Sequence, residues 1–235
     1  MNRKVLAIIP AAGMGLRMGA NTPKQFLLLG DMPILAVTLK VFQRCNLIDY
    51  IVIVVPGHEI NFCKKNIVDK YGFNKVYKVV AGGKRRQDSV RMGLYAAKEI
   101  IDNNDIVVIH DGVRPLVETS LIERAIKEAE MHPAIIVGVP AKDTVKEVDK
   151  NGYVNKTHNR EQIWIIQTPQ IFKFELIFMA HEQAYSKNWQ GITDDSMLLE
   201  NLGIPVKVIK GSERNIKITT PTDLELAKFL YSKVF

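Results

Sequence analysis

Residues 5–26, VLAIIPAAGMGLRMGANTPKQF, form the segment around which the rest of the chain is organised. The segment begins with an apolar run of strand length, Val5–Ile9, and continues into the Ala11–Ala12 pair, three glycines and two cations. Glycine lets the backbone turn sharply, and it lets backbone N–H groups come close to a ligand. Arg17 and Lys24 add positive charge that suits anionic oxygens. The segment therefore predicts a buried strand followed by a loop that binds a polyphosphate.

The glycine spacing fits neither of the two common phosphate-binding loops. Gly13, Gly15 and Gly19 read G-x-G-x-x-x-G, which is one residue longer than the dinucleotide-binding fingerprint. Asp31 is nearest to the position of the acidic residue that this fingerprint requires, but it lies in a Gly-Asp turn. The Gly-Lys-Ser or Gly-Lys-Thr sequence of nucleotide triphosphatases is absent. The alternative, a strand-to-helix turn with glycines for geometry alone, leaves both cations unexplained.

Length and composition restrict the class of protein. The 235 residues are enough for one large α/β domain or two small ones, and the net charge of +7 is scattered along the chain. A modest positive excess suits small anionic ligands, so we expect neither a nucleic-acid partner nor a membrane partner. The longest apolar runs, such as Ile135–Pro140, are too short to cross a bilayer. Cys45 and Cys63 lack metal-ligand spacing and follow no secretory leader, which predicts core thiols in a reducing cytoplasm.

Strand-like and helix-like patterns alternate along the first part of the chain. The predicted strands are Val5–Ile9, Tyr50–Val55, Val76–Ala81, Ile106–His110 and Ala134–Val139. Helices are predicted between them at Ile34–Arg44, at Ile60–Tyr71, from a cap at Asp88 or Ser89 to about Ile101, and from a Ser120/Glu123 capping box to about Met131. Continuous apolar strands separated by helices predict an α/β fold with a doubly wound, mostly parallel sheet.

The alternation stops after residue 141. Residues 142–160 are polar and contain the turn sequence Asp-Lys-Asn-Gly, which predicts a protruding β-hairpin arm. Further strands are predicted at 163–167, 206–210 and 215–219, and further helices at 174–185, 195–201 and 221–231. Thr193 or Asp194 would cap the second of these helices, and Pro221 would begin the third. With no linker or repeat, we expect one domain, residues 1–235, that carries the arm.

Polar residues follow several predicted strands at the edge where an open parallel sheet binds its ligands. Asp111 comes directly after the fourth strand, and a carboxylate in that place can hold Mg²⁺ on a phosphate. The alternative role of Asp111 is a turn or capping residue. The run 84–86 belongs to this edge, and its alternative is a solvated cationic face. His110 would be a structural residue, and the other four histidines, including His181, surface residues. Several cations, one carboxylate and no candidate nucleophile favour in-line phosphoryl or nucleotidyl transfer.

Five motifs together resemble one enzyme family. They are Pro10-Ala-Ala-Gly-x-Gly-x-Arg-Met with Pro23-Lys-Gln-Phe, His110-Asp-Gly-Val-Arg-Pro, Thr168-Pro-Gln-x-Phe, Thr193-Asp-Asp and Asn215-Ile-Lys-Ile-Thr. The set, spread from about residue 5 to 227, resembles the 2-C-methyl-D-erythritol 4-phosphate cytidylyltransferases of the non-mevalonate isoprenoid pathway. The resemblance implies a Rossmann-like nucleotidyltransferase fold, CTP and a polyol phosphate as substrates, Mg²⁺ or another divalent cation, and a homodimer.

The resemblance also implies a role for each matching residue. Arg17, Lys24 and Lys217 would be catalytic by stabilising charge on the α-phosphate of CTP, and Asp111 would hold the metal. The nucleotide would be bound by Ala11, Ala12, Gly13, Gly15, Gly83 and Ser89. The polyol phosphate would be bound by Arg114, Thr144, Arg160, Thr168 and Thr193, with the arm of one subunit reaching the site of its twin. Lys84 stands where an acidic residue can follow the paired glycines, so no side-chain role is expected there.

Two other functions are open to this sequence. A ribitol 5-phosphate cytidylyltransferase would share the fold and similar motifs, but Ala11-Ala12 and Thr193-Asp-Asp favour the isoprenoid family. A non-catalytic nucleotide-binding or RNA-binding module would need a basic stripe with exposed aromatic residues. Only 8% of the residues are aromatic, and the cations and carboxylate of the catalytic pattern are all present, so this function ranks below either enzyme.

Overall fold

A seven-stranded sheet forms the centre of the computed structural model, which describes residues 3–13 and 23–233. The strands are β1 Val5–Pro10, β2 Leu28–Leu29, β3 Met32–Pro33, β4 Tyr50–Val55, β5 Val76–Ala81, β6 Ile106–Ile109, β7 Ala134–Pro140, β8 Lys146–Val148, β9 Val154–Thr157, β10 Trp164–Lys173 and β11 Lys207–Lys210. The helices are α1 Ile34–Arg44, α2 Ile60–Cys63 with a π-helical continuation Lys64–Asp69, α3 Arg86–Ala97, α4 Thr119–Glu128, α5 Phe174–Ser186, α6 Ser196–Glu200 and α7 Pro221–Tyr231.

The order of the strands in the central sheet is β11-β7-β10-β6-β1-β4-β5. Every neighbouring pair is parallel except those of β10, which runs antiparallel to both β6 and β7. The mostly parallel, doubly wound α/β prediction is confirmed. Because the sheet is parallel on both sides of β1, the segments that follow β1, β5 and β6 meet at one edge.

The sheet is covered by helices on both faces, which explains why its strands are apolar without alternation. Ala7 and Ile9 of β1 pack in one cluster with Leu35 and Phe42 of α1. Leu6 and Ile8 point to the opposite face, where α3, α5 and α6 cover the sheet. A third cluster lies under α7 and contains Leu29, Val113 and Ile218. Cys45 and Cys63 are buried free thiols, as predicted.

Helix α3 approaches the sheet closely at Gly93. A Cβ atom built on Gly93 would lie 2.6 Å from Cγ2 of Ile8 and 3.2 Å from Cγ2 of Val54. Glycine at this position therefore sets how near α3 lies to β1 and β4, and so where the N-terminus of α3 stands relative to the loop after β1.

Several predicted boundaries differ from the structure. Helix α3 begins at Arg86, so Asp88 lies in its first turn and accepts a hydrogen bond from the Arg85 N–H at 3.1 Å. The predicted capping box of α4 is wrong, because that helix begins at Thr119 and has no side-chain cap. The start of α7 is as predicted: Thr220 Oγ1 accepts from Asp223 N at 3.2 Å.

Two predicted strands also differ. The predicted strand at 163–167 continues to Lys173 through the cis peptide bond before Pro169, with an irregularity in register between Gln167 and Gln170. The segment 215–219 forms no strand, because its backbone crosses the loop after β6, where Ile218 N donates to Val113 O, instead of pairing along a strand.

The predicted arm is a hairpin of β8 and β9, and every residue of both strands is exposed. No helix in the described ranges 3–13 and 23–233 is both long and apolar enough to cross a membrane.

Candidate active site

Asp111 follows β6 and is held there by a hydrogen bond from its backbone N–H to the neighbouring strand β10. The backbone N–H of Asp111 donates to Thr168 Oγ1 of β10 at 3.0 Å, and that hydroxyl lies 3.1 Å from Nδ1 of His110. Nε2 of His110 lies 3.1 Å from the carbonyl oxygen of Arg114, which closes the turn. His110 is fully buried, and burial lowers its pKa to about 4, so the ring is neutral near pH 7. His110 is therefore structural, as predicted.

Three cations surround the Asp111 carboxylate. Arg86 Nε lies 3.0 Å from Oδ1, while Lys217 Nζ and Arg114 Nε lie 2.9 Å and 3.4 Å from Oδ2. Burial by itself would raise the pKa of Asp111, but Arg86, Lys217 and Arg114 outweigh it and hold that pKa well below its usual range. The carboxylate is ionised at every pH at which the protein would work, and the cluster keeps a net positive charge for anions.

Arg86 is the cation beside Asp111 to which the sequence predictions gave no site role. Its side chain is 27% exposed and makes two ion pairs, to Asp111 Oδ1 and, through Nη1 at 2.7 Å, to Asp195 Oδ2. The alternative of a solvated face is therefore excluded for Arg86, although Lys84 is exposed. The error follows from the helix boundary: once α3 begins at Arg86, this residue belongs to the first turn of a buried helix.

His181 is a second correction. It was expected at the surface, but it is fully buried and its Nε2 lies 3.2 Å from Asp195 Oδ1. The spacing of Ile177, Ala180, His181 and Ala184, all buried, is that of one helix face. This helical spacing was available in the sequence and could have placed His181 in the interior.

A first cavity of about 200 Å³ opens between the loop after β1 and the N-terminus of α3. It brings together most of the residues predicted for the nucleotide and the catalytic cations: Ala11, Ala12, Gly13, Gly83, Ser89, Lys24, Lys217 and Asp111. Residues that the predictions missed also line it, namely Pro10, Gln25, Lys84, Arg85, Arg86 and Val113. The position predicted for metal and the positions predicted for nucleotide thus share one space.

Close packing shapes the wall of the first cavity. A Cβ atom on Gly82 would lie 2.4 Å from Cβ of Ala12 and 2.7 Å from Oγ of Ser89. Ser89 Oγ accepts from Gly83 N at 3.2 Å and donates to Arg85 O at 3.1 Å. The loop before α3 is therefore pinned against the Ala11–Ala12 pair, and small residues are needed on both sides.

A second cavity of about 250 Å³ adjoins the first. Arg86, Asp111 and Lys217 line both cavities and form their common wall. Three residues predicted for the polyol phosphate, Arg114, Thr168 and Thr193, line the second cavity, and so do the unpredicted Ile166, Gln167, Gln170 and Asp194. The polar lining suits a hydroxylated, anionic ligand.

Two predicted site residues that the structure describes, Thr144 and Arg160, are not in these cavities. Thr144 and Arg160 are exposed at the two ends of the arm, and Arg160 Nη1 donates to the carbonyl oxygen of Lys142 at 2.9 Å. Neither residue lines the first or the second cavity. Arg17 and Gly15 lie outside the described residues.

The chain belongs to a known family, as its sequence shows over most of its length. Residues 5–233 match the sequence model of 2-C-methyl-D-erythritol 4-phosphate cytidylyltransferase. This chain is a member of that family. The resemblance carried by the five motifs is confirmed.

Individual relatives agree with this assignment. The 2-C-methyl-D-erythritol 4-phosphate cytidylyltransferase of Geobacter metallireducens is 50% identical over 224 residues, which cover 95% of this chain and 96% of that protein. The crystal structure of 4-diphosphocytidyl-2C-methyl-D-erythritol synthase from Anaerococcus prevotii is similar with a TM-score of 0.84 at 34% identity, covering 98% and 96% of the two chains. The Francisella tularensis 2-C-methyl-D-erythritol 4-phosphate cytidylyltransferase structure matches with a TM-score of 0.80 at 35% identity, covering 97% and 99%.

Asp111 is the residue that could hold a divalent cation. Within the described ranges, no group of three acidic, histidine or cysteine side chains has the geometry of a protein-only metal site. Mg²⁺ is commonly held by one or two carboxylates together with substrate phosphates and water, so a single ionised carboxylate that lines the first cavity fits this ion. In the structure both carboxylate oxygens are paired with cations, and one of these pairs would have to open.

Proposed function

We propose that the chain transfers the cytidylyl group of CTP to 2-C-methyl-D-erythritol 4-phosphate and releases pyrophosphate, a step in isoprenoid precursor synthesis. The common wall of the two cavities carries this proposal. It places Arg86, Asp111 and Lys217 between a space lined by small residues and a polar space. Two anionic substrates on either side of that wall would meet over the same cluster of charges.

The chemistry needs no protein nucleophile. A phosphate oxygen of the polyol phosphate attacks the α-phosphorus of CTP, the bond from that phosphorus to the bridging oxygen breaks, and pyrophosphate leaves. The protein has to align the reactants and neutralise charge that grows in the transition state. Lys217 lines both cavities, so its ammonium group would stay near the α-phosphate during the transfer. Lys24 lines the first cavity. We assign the same role to Arg17 by its place in the family motif.

Small residues would bind the nucleotide from the backbone. Ala11, Ala12, Gly13 and Gly83 leave room for the ligand to reach main-chain N–H groups, and Gly15 belongs to the same motif. Ser89 fixes Gly83 through its hydroxyl. Arg114 Nη1 donates a hydrogen bond of 2.8 Å to the Asn215 carbonyl oxygen, which holds the side chain in place. Arg114, Thr168 and Thr193 line the second cavity, where they would bind the polyol phosphate.

The metal would be Mg²⁺ or another divalent cation held by Asp111. When bound, it would neutralise phosphate oxygens of CTP. Asp111 would contribute a carboxylate that is already ionised, since the pKa of this group is held low by its cationic neighbours.

We further propose that the chain is one domain that works as a homodimer in the cytoplasm. The arm stands away from its own sheet, and its exposed side chains include Val148, Tyr153 and Val154. A partner covering this hairpin would bury these apolar groups and would bring Arg160 to the polyol phosphate of the other subunit, with Thr144 at the base of the arm. Buried free thiols at Cys45 and Cys63 suit a reducing compartment.

The deciding experiment compares two polyol phosphates. Purified protein with Mg²⁺ and CTP should release pyrophosphate with 2-C-methyl-D-erythritol 4-phosphate and much less with ribitol 5-phosphate. Omission of Mg²⁺ and addition of chelator should stop the release. Preferential turnover of ribitol 5-phosphate would make that compound the substrate in place of 2-C-methyl-D-erythritol 4-phosphate. Absence of turnover with both compounds would contradict the proposed cytidylyltransferase activity.

A further inference from the structure

A chain of buried and partly buried polar side chains runs behind Asp111. His181 Nε2 lies 3.2 Å from Asp195 Oδ1, and Asp195 Oδ2 lies 2.7 Å from Arg86 Nη1. Arg86 Nε then reaches Asp111 Oδ1 at 3.0 Å. His181 and Asp195 are 0% and 1% exposed, and neither lines the first or the second cavity. Their side chains therefore do not contact a ligand in either cavity, and the side-chain link from Asp195 to the cavities runs through Arg86.

The position of Asp195 does not depend on a ligand. The side-chain oxygen of Gln170, a fully buried residue of β10, accepts hydrogen bonds from the backbone N–H groups of Asp195 at 3.1 Å and Ser196 at 3.2 Å. Because a carboxylate only accepts hydrogen bonds, the His181 Nε2 beside it carries the proton. Asp195 is thus fixed by the sheet on one side and by α5 on the other, and it offers one oxygen to Arg86.

The two oxygens of Asp111 are held differently. Oδ1 is paired with Arg86, which Asp195 restrains at its far end. Oδ2 is paired with Lys217, whose side chain is 37% exposed, and more distantly with Arg114. A guanidinium is planar and offers its donors in a fixed fork, whereas an ammonium group on a flexible stem can move without breaking a geometric match. The pair at Oδ2 is therefore the easier one to open.

We propose that Asp195 and His181 are positioning residues that keep Arg86 on Oδ1 of Asp111, so that Oδ2 is the oxygen offered to a divalent cation bound with CTP. Lys217 is then the cation that leaves Asp111 and moves to a phosphate. This inference rests on the proposed function, because that function supplies the ligand, a divalent cation bound with CTP. The Arg86 arrangement itself exists without any ligand.

Charge explains why a second carboxylate is needed. Without Asp195, three cations would face the single charge of Asp111, and a half-buried guanidinium would lose its stronger partner. Arg86 would then be free to turn its terminal nitrogens toward Asp111 and would compete with the metal for both oxygens. Residues that orient a metal ligand from behind commonly change metal affinity or activity by about 10–100-fold when they are removed.

The test uses four variants of the full chain. Asp195→Asn removes the anchoring charge with little change in shape, and His181→Phe removes the donor, while His181→Gln can still donate to Asp195. Asp105→Asn is the matched control, because Asp105 is also a buried carboxylate but lies at the opposite end of β6, where it accepts from Lys4 N and Asp102 N. Each variant is first checked for a cooperative unfolding transition.

Two measurements are made on each variant. The Nε–H resonance of Arg86 in the ligand-free protein reports whether that group stays bonded to Asp111. The affinity for Mn²⁺ in the presence of CTP is measured from the electron paramagnetic resonance of free Mn²⁺. It reports whether Oδ2 of Asp111 is available to the metal. Asp195→Asn should speed solvent exchange of the Arg86 Nε–H at least about tenfold and weaken Mn²⁺ binding by about 10–100-fold. His181→Phe should move both readouts in the same direction, and His181→Gln and Asp105→Asn should stay near wild type.

The inference is overturned if Asp195→Asn leaves both readouts within about twofold of wild type. If that variant does not fold, the pair His181→Phe and His181→Gln decides: equal behaviour of the two overturns it. Failure of the proposed function looks different, since wild-type protein would then neither bind Mn²⁺ with CTP nor release pyrophosphate, while the Arg86 resonance would still report whether Asp195 positions this side chain.

Discussion

Lys217 Nζ lies 2.9 Å from Oδ2 of Asp111, although the two residues are far apart in the chain. Lys217 precedes α7, and Asp111 follows β6. The contact joins the loop before α7 to the loop after β6, and Ile218 N reinforces it by donating to Val113 O at 2.9 Å. The Lys217 side chain, which is 37% exposed, is thus paired with the Asp111 carboxylate beside the place where both substrates would bind.

Lys217→Met should lower kcat by about 10²–10³ with a much smaller effect on the free energy of unfolding, because the ammonium group would act mainly on charge in the transition state. Lys24→Ala should behave in the same way. Steady-state pyrophosphate release and urea unfolding measure the two effects. Lys207→Met is the control, since Lys207 pairs with Glu128 at the surface. An unchanged kcat would remove the substituted lysine from the reaction.

His110 should make the protein lose stability in mild acid. Its pKa is about 4 in the folded chain against 6.5 for the ordinary value, so the folded state disfavours the protonated ring. The stabilisation is fully present above about pH 6.5 and is lost as the pH falls toward about 4, by about 3 kcal/mol in all. Urea unfolding at about pH 7.5 and about pH 4.5 should show this loss in wild type and a smaller loss in His110→Gln. Equal losses in the two proteins would contradict the assignment.

The arm should act across the proposed dimer. Arg160→Ala should raise KM for the polyol phosphate and spare KM for CTP, because Arg160 would contact only the polyol phosphate and lines neither the first nor the second cavity of its own chain. Mixing inactive Lys24→Ala with Arg160→Ala protein should restore about a quarter of the active sites, since half of the randomly formed dimers would contain one intact site. Purely additive activity of the mixture would place Arg160 outside the partner's site.

Gly93→Ala should destabilise the fold by about 1–3 kcal/mol, although alanine is the better helix former. The added Cβ would lie 2.6 Å from Cγ2 of Ile8 and would push α3 from the sheet. Gly57→Ala is the control, because its Cβ would meet only Ala81 Cβ at an ordinary 3.7 Å. The midpoint of urea unfolding compares the two, and equal midpoints would show that the helix can move without cost.

Local patterns were sufficient for much of the fold. The boundaries of α1, β4 and β5 agree with their predicted ranges because each is a continuous pattern of one period. Thr220, Pro221 and Asp223 likewise define the start of α7 by chemistry contained within four residues. The arm was predicted from its polar composition and turn sequence, and its strands are exposed in the structure.

The sequence by itself determined that a glycine-rich loop and Asp111 would share one edge of a parallel sheet, because chain order and strand direction are enough to place the carboxyl ends of β1 and β6 together. Only the tertiary structure decided which charges meet Asp111. Arg86, Lys217 and the buried Asp195 come from segments far apart in the chain, and β10 brings Thr168 and Gln170 to them by entering the sheet antiparallel between β6 and β7. Strand order and the burial of ion pairs depend on the packing of the whole molecule, which no local pattern of residues contains.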